Sequence, residues 1–149
     1  MDVAQKIAHG AHIISQGGVI VCPTEGVYGL SALANDNKAI ERIIQIKHRA
    51  LNKGLIIVAS NLAMLQGLVD FTKLNDEAHK LLKEKWPGHA TFILPATSNA
   101  PQILTGSRDT IAVRISAFPL LQRLCDQVGG PIVSTSANVS GSEPLKTLE

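Results

Sequence analysis

Residues 43 to 58 read IIQIKHRALNKGLIIV, and this stretch joins a helix to a strand through a basic segment. Its first residues have the apolar pattern of a helix, and its last residues form a continuous apolar run typical of a buried strand. The basic residues between the two are Lys47, His48, Arg49 and Lys53. No acidic residue occurs from position 42 to position 69, so the positive charge of this segment is local.

Helices and strands alternate along the rest of the chain. Apolar periodicity, caps and glycine stops predict helices from Asp2 to 17–18, from Asp36 or Asn37 to the basic segment, after Ser60, over 76–85 and over 119–128. Short apolar runs predict strands at 19–22, 55–59, 90–94, 110–115 and 131–135. This alternation predicts an α/β fold.

Composition limits the class of protein. The chain has 149 residues, of which 45% are hydrophobic and 17% charged, so we expect one globular domain over 1–149. No apolar run approaches the roughly 20 residues that cross a bilayer, so the sequence predicts a cytoplasmic protein without a membrane segment. Cys22 and Cys125 each lie in an apolar run, which indicates reduced core thiols rather than a disulfide or a metal site.

Lys47 and Arg49 are two residues apart, and two readings of this pair stay open. On extended backbone the two side chains would point the same way and could bind phosphate oxygens, Arg49 as a fork and Lys47 as a point charge. On a helix they would diverge, and would then only complement the helix dipole as a solvated helix end.

Two further polar segments follow buried strands. STSANVSG, residues 134 to 141, is uncharged and lies beyond the carboxyl end of a strand, where α/β sheets often bind ligands. In it Ser136 and Asn138 repeat the alternate spacing of the basic pair, although a turn rich in serine and asparagine is the ordinary and commoner explanation for a single such run. PTEGVYGL, residues 23 to 30, offers Thr24 and Tyr28 beside glycines in a predicted loop, but it is neither a phosphate loop nor a dinucleotide fingerprint.

The order and spacing of five motifs resemble the YrdC/TsaC family of threonylcarbamoyl-AMP synthases. The motifs are PTEGVYGL, the Lys47-x-Arg49 pair, WPGHATFILP, DTIAVRI and STSANVSG. The resemblance implies a twisted mixed sheet flanked by helices around a large, positively lined cavity. It also implies that L-threonine, bicarbonate and ATP with its Mg²⁺ give threonylcarbamoyl-adenylate and pyrophosphate, the first step of threonylcarbamoyladenosine formation in tRNA.

The resemblance also assigns roles to residues. It places Lys47, Arg49, Ser136 and Asn138 around the nucleotide phosphates and the reacting carboxylate, with Lys53 as a further nucleotide-binding residue. It places Thr24, Tyr28 and Arg114 in the amino-acid pocket, where Arg114 would hold the threonine carboxylate. Without the family, Arg114 reads equally well as a strand arginine in a surface ion pair.

The chain departs from the family pattern at three positions and at its end. Ala50, His89 and Phe118 stand where the family commonly has proline, proline and histidine. The family normally continues for a strand and a helix beyond the serine-x-asparagine motif, so we expect the 149 residues to be a shortened form.

The implied partners are tRNA and the downstream threonylcarbamoyl transferase proteins. The competing hypothesis is an RNA-maturation factor that binds duplex RNA or tRNA through the same basic cavity, since duplexes are recognised by shape and backbone. The low aromatic content, 3% of residues, argues against base stacking on single-stranded RNA.

Overall fold

A computed structural model describes residues 2–23, 28–47, 55–88, 90–106, 108–136 and 147–148. Its α-helices are α1 (Val3–Ser15), α2 (Asn37–Lys47), α3 (Asp76–Lys85), α4 (Gln102–Thr105) and α5 (Pro119–Val128). Its strands are β1 (Ile20–Pro23), β2 (Tyr28–Leu33), β3 (Ile56–Ala59), β4 (Thr91–Pro95), β5 (Thr110–Ile115), β6 (Ile132–Ser136) and β7 (Thr147–Leu148). Two 3₁₀ helices, Leu62–Leu65 and Phe71–Lys73, lie between β3 and α3.

The described strands form one mixed sheet in the order β1-β2-β6-β3-β5-β4-β7. The β3–β5 and β4–β7 pairs are parallel, and the other neighbouring pairs are antiparallel. Helices cover both faces of the centre, so all four side chains of β3 are buried. The mixed sheet flanked by helices confirms the α/β prediction.

Each face of the sheet carries its own hydrophobic cluster. Residues of α2 and α3 pack with Ile57, Phe92 and Val113 on one face, which we call the α2 face. Residues of α1 and α5 pack with Ile56 and Val58 on the other, which we call the α5 face. Because neighbouring strand residues point to opposite faces, this division tells which face each side chain of β3, β5 and β6 meets.

The helix boundaries follow from local chemistry. Asp2 caps α1 by accepting from Gln5 N at 2.8 Å, and Asn75 caps α3 by accepting from Ala78 N at the same distance. Asp36, one of the two candidate caps for α2, accepts from Ala39 N at 3.1 Å. Helix α5 has proline in its first turn and ends at Gly129, whose φ of 83° is a left-handed value that favours glycine.

The structure corrects the predictions in two places. Tyr28–Leu30 is not loop but the start of β2, which pairs with β1 on one side and β6 on the other. The helix predicted after Ser60 is only a 3₁₀ turn, Leu62–Leu65. It stops because the chain turns back to the end of β4, where Val69 bridges Ala96 and Asp70 N donates to Pro95 O at 2.8 Å.

Of the two cysteines predicted to be core thiols, the structure describes the side chain of Cys125. Cys125 is a free, buried thiol in the α5-face cluster, while the side chain of Cys22 lies outside the described residues. Within the described ranges, the helices are all too short or too polar to cross a bilayer.

Candidate functional site

Three motif-bearing segments each begin or end at one edge of the sheet. There β1 ends at Pro23, β2 begins at Tyr28, β6 ends at Ser136 and β3 begins at Ile56. Gly29 pairs with Ser136, Pro23 pairs with Tyr28, and Ser134 pairs with Ile56, so these ends are neighbours. We call this the loop edge. The chain enters or leaves the PTEGVYGL loop, the basic segment and the STSANVSG segment here.

A second feature extends from the loop edge across the α5 face of β4 and β5. Thr110, Ala112 and Arg114 alternate along β5 and are each partly exposed, whereas Ile111, Val113 and Ile115 are buried on the α2 face. Ile93 of β4 pairs with Ala112 and is 38% exposed. Of the described residues, the α5-face cluster takes Ala112 but no member of β4. This surface, Ile93 with Thr110, Ala112 and Arg114, is the open face.

Arg114 lies at the far end of the open face. It pairs with Val58, which pairs with Ile132, whereas Ala112 and Ser134 both pair with Ile56. Ser136 is therefore four residues from the row of Arg114, about 13 Å at the usual rise of about 3.3 Å per residue. Arg114 is half-buried and its Nε is shielded from solvent. A charge held in such a place interacts more strongly with an anion than one in open water.

The sequence-predicted site residues are described to different extents. Arg114 is described in full, and the backbones of Tyr28, Lys47 and Ser136 are described at their strand and helix ends. Thr24, Arg49, Lys53 and Asn138 lie outside the described residues, as do the departures Ala50 and His89. Phe118 is partly buried against the α5-face cluster.

The structure brings some of these residues together and separates others. Tyr28 and Ser136 lie at the loop edge, and α2 delivers Lys47 to the segment that returns as β3. Arg114, which the resemblance groups with Tyr28, is on β5, three strands from β2 in the order of the sheet. One ligand that contacted both groups would therefore have to be extended.

Thr91 is a neighbour of Arg114 that the sequence did not point to. One residue beyond the Phe92–Val113 pair, it stands opposite Arg114 on the α5 face, and it is only 3% exposed. The sequence does indicate that Thr91 is a strand residue on the face opposite to Phe92, because it directly precedes Phe92 in a predicted strand. Its proximity to Arg114 depends on the pairing of β4 with β5, which local sequence does not specify.

The sequence and the fold both match known proteins. The family model named Sua5, YciO and YrdC, described as telomere recombination, matches residues 12–149. The chain belongs to the Sua5/YciO/YrdC family. A curated relative from Vibrio vulnificus, named threonylcarbamoyl-AMP synthase, a transferase, is 44% identical over 136 residues, which are 91% of this chain and 73% of the relative.

Solved structures of the Sua5/YciO/YrdC family have the same fold. The Sua5 protein of P. abyssi complexed with L-threonine is 37% identical, with a TM-score of 0.85 over 95% of this chain and 41% of that one. The YciO protein of E. coli is 33% identical, with a TM-score of 0.79 over 93% of this chain and 66% of that one. The present chain thus spans about two fifths of the archaeal Sua5 protein.

Proposed function

We propose that this chain is a threonylcarbamoyl-AMP synthase. The amino group of L-threonine takes up bicarbonate with loss of water, and the resulting carbamate oxygen attacks the α-phosphorus of ATP. Pyrophosphate leaves and threonylcarbamoyl-adenylate remains. The observation that carries the proposal is the 44% identity to a relative of that name. The neighbouring strand ends at which three motif-bearing segments begin or end support it.

The chemistry requires anions to be brought together and held. The carbamate and the triphosphate repel each other, and the leaving pyrophosphate gains charge, so fixed cations near these groups would lower the barrier. We assign this role to Lys47, Arg49 and Lys53 at the loop edge, and the uncharged hydrogen-bonding role to Ser136 and Asn138. Mg²⁺ arrives bound to the ATP phosphates.

We assign the threonine carboxylate to Arg114, and we assign Thr24 and Tyr28 to the part of the same bound substrate that lies nearer the loop edge, where it joins the nucleotide. Arg114 stands at the end of the open face away from the phosphates, so the substrate would lie along β5 with its carboxylate at that end. A guanidinium can hold a carboxylate through two parallel hydrogen bonds. The L-threonine bound in the 37% identical Sua5 structure supports this choice of substrate.

The product would pass to a threonylcarbamoyl transferase that acts on tRNA in the cytoplasm. Synthesis itself needs no RNA, so we place tRNA after this step and not in this site. The competing RNA-binding function would instead need RNA to bind in competition with ATP at the loop edge, with affinity that falls steeply as salt rises.

Replacing Lys47 with alanine should weaken ATP binding by about 1.5–3 kcal/mol, the range for hydrogen bonds to charged groups. This corresponds to roughly 10- to 150-fold in the dissociation constant. Calorimetric titration of ATP measures it. Lys38→Ala, an exposed lysine at the opposite end of α2, is the matched control and should leave the affinity unchanged. If the unmodified protein, Lys47→Ala and Lys38→Ala bind ATP equally tightly, Lys47 does not bind the phosphates and is only a solvated residue at the helix end.

Replacing Arg114 with alanine should weaken L-threonine binding by about 1.5–3 kcal/mol while leaving ATP affinity unchanged. Arg114→Lys keeps the charge but not the fork, and should recover only part of the loss. Arg123→Ala, an exposed arginine of α5, should have no effect. Threonine titrations of the four proteins measure this. A loss below about 1 kcal/mol would be that of a water-exposed ion pair and would remove Arg114 from the pocket.

A further inference from the structure

A pocket of about 450 Å³ lies at the end of the sheet away from the loop edge. It is bounded by the chain that follows β3, by α3 and by the turn at Trp86-Pro87, which belongs to the WPGHATFILP motif. Ile115, which follows Arg114 in β5, forms part of its wall. Adjacent strand residues point to opposite faces, so this pocket is on the α2 face and the open face is on the other.

The inner wall of the pocket is apolar and rigid. Leu82, Trp86 and Ile115 line it and are at most 8% exposed. The indole of Trp86 is fixed by its Nε1–H, which donates to Ala90 O at 2.9 Å, and by an edge-to-face contact with Phe92 at 5.4 Å between ring centroids. Such a wall favours a ligand with a flat apolar body, because the contact area exists before the ligand arrives.

The rim of the pocket is polar and positively charged. Lys83 and His79 stand one turn apart on α3, and Gln66 faces them from the turn after the first 3₁₀ helix. The His79 ring is held by Nε2, 3.2 Å from Phe71 O. Among the described residues that line this pocket, Lys83 carries the one full charge, and there is no aspartate or glutamate. The nearest carboxylate that the contacts place is that of Asp126, which accepts from Ser60, another lining residue, at 2.5 Å. The part of the rim beside Lys83 therefore favours an anion.

We propose that this pocket binds a small organic anion with a planar apolar body, such as an aromatic carboxylate or sulfonate. The apolar body would lie against Trp86 and Leu82, and the anionic group would reach Lys83 at the rim. A volume of about 450 Å³ suits a molecule of this size, since ligand pockets typically have about 300–1,000 Å³. The proposal concerns a second site and does not depend on the proposed synthase activity.

Two fluorescent-dye analogues that differ in charge can test the proposal. The probes are 1-anilinonaphthalene-8-sulfonate and the uncharged N-phenyl-1-naphthylamine, which have similar ring systems. Trp86 is the one tryptophan of the chain, so its indole N–H gives a single, assignable NMR signal. We expect both probes to shift this signal, and the sulfonate to bind about fivefold more tightly, the effect of about 1 kcal/mol from one exposed charge pair.

Variants then locate the anionic group. Lys83→Gln should remove the fivefold advantage of the sulfonate without weakening binding of the neutral probe. Gln66→Glu should do the same, because glutamate has nearly the shape of glutamine but places a negative charge at the rim, which repels the sulfonate. Lys80→Gln, on the same helix but outside the pocket lining, should keep the advantage. ATP at saturation should displace neither probe.

Three results would overturn the proposal. The first is a Trp86 signal that does not move at saturating sulfonate. The second is equal affinity for the two probes in the unmodified protein. The third is loss of the advantage in Lys80→Gln as fully as in Lys83→Gln, which would place the sulfonate on the outer surface of α3. A thermal melt of each variant separates these results from unfolding.

Discussion

Arg49→Ala should lower the rate of pyrophosphate formation by about 10²–10³-fold, the cost of removing one fixed donor to charge that develops in the transition state. The reason is that the α-phosphorus receives a negatively charged oxygen while pyrophosphate leaves with additional charge. A guanidinium fork can contact two phosphate oxygens at once. The basic segment that carries Arg49 begins at the end of α2 and returns as β3 beside Ser134 of β6.

Two companion variants separate this role from general charge. Arg49→Lys retains a cation but loses the fork, so its rate should fall between those of the parent and Arg49→Ala. Arg42→Ala removes an exposed arginine of α2 about two turns earlier and should leave the rate within a factor of two. Steady-state rates of pyrophosphate formation at saturating ATP, threonine and bicarbonate compare the variants. If Arg42→Ala and Arg49→Ala lose the same rate, Arg49 acts only through the positive charge of the basic segment and not through contact with the phosphates.

Phe92→Ala should lower the free energy of unfolding by about 3–5 kcal/mol, the range for large aromatic residues truncated in a core. Phe92 is 1% exposed and packs in the α2-face cluster. Its loss leaves a cavity and also removes the edge-to-face contact with Trp86, which contributes about 0.5–1.5 kcal/mol in such pairs. Urea unfolding followed by circular dichroism measures the change.

Ile93→Ala is the matched control, because Ile93 is the next residue of β4 and points to the open face. It is 38% exposed, so its truncation should cost less than half as much as that of Phe92. A larger loss for Ile93→Ala than for Phe92→Ala would show that the two faces of β4 have been assigned the wrong way round.

Much of the fold is encoded locally. Helices α1, α3 and α5 carry a cap, an apolar stripe or a glycine stop within their own residues, and their predicted bounds agree with the structure. Strand β2 was missed because Gly29 and Ser31 interrupt its apolar pattern. Ser31 is nonetheless fully buried between β1 and β6. Its strand conformation comes from its neighbours in the sheet, which are distant in sequence.

The candidate site, too, could be predicted from the sequence only in part. The alternate spacing of Lys47 and Arg49, and of Ser136 and Asn138, left ligand binding as one of two open readings for each pair. The strand ends that border their segments are neighbours at the loop edge. The distance of Arg114 from the loop edge could not be predicted, because it depends on the register of β5 with β3 and of β3 with β6. For the same reason Thr91 gave no hint that it stands beside Arg114.

Pyrophosphate release with each substrate omitted in turn tests the proposed synthase activity most directly. The proposal predicts that the chain forms pyrophosphate from ATP only when L-threonine and bicarbonate are both present, and that omitting either returns the rate to background. Release at the same rate without threonine would contradict it, because the carbamate that attacks the α-phosphorus could then not have formed.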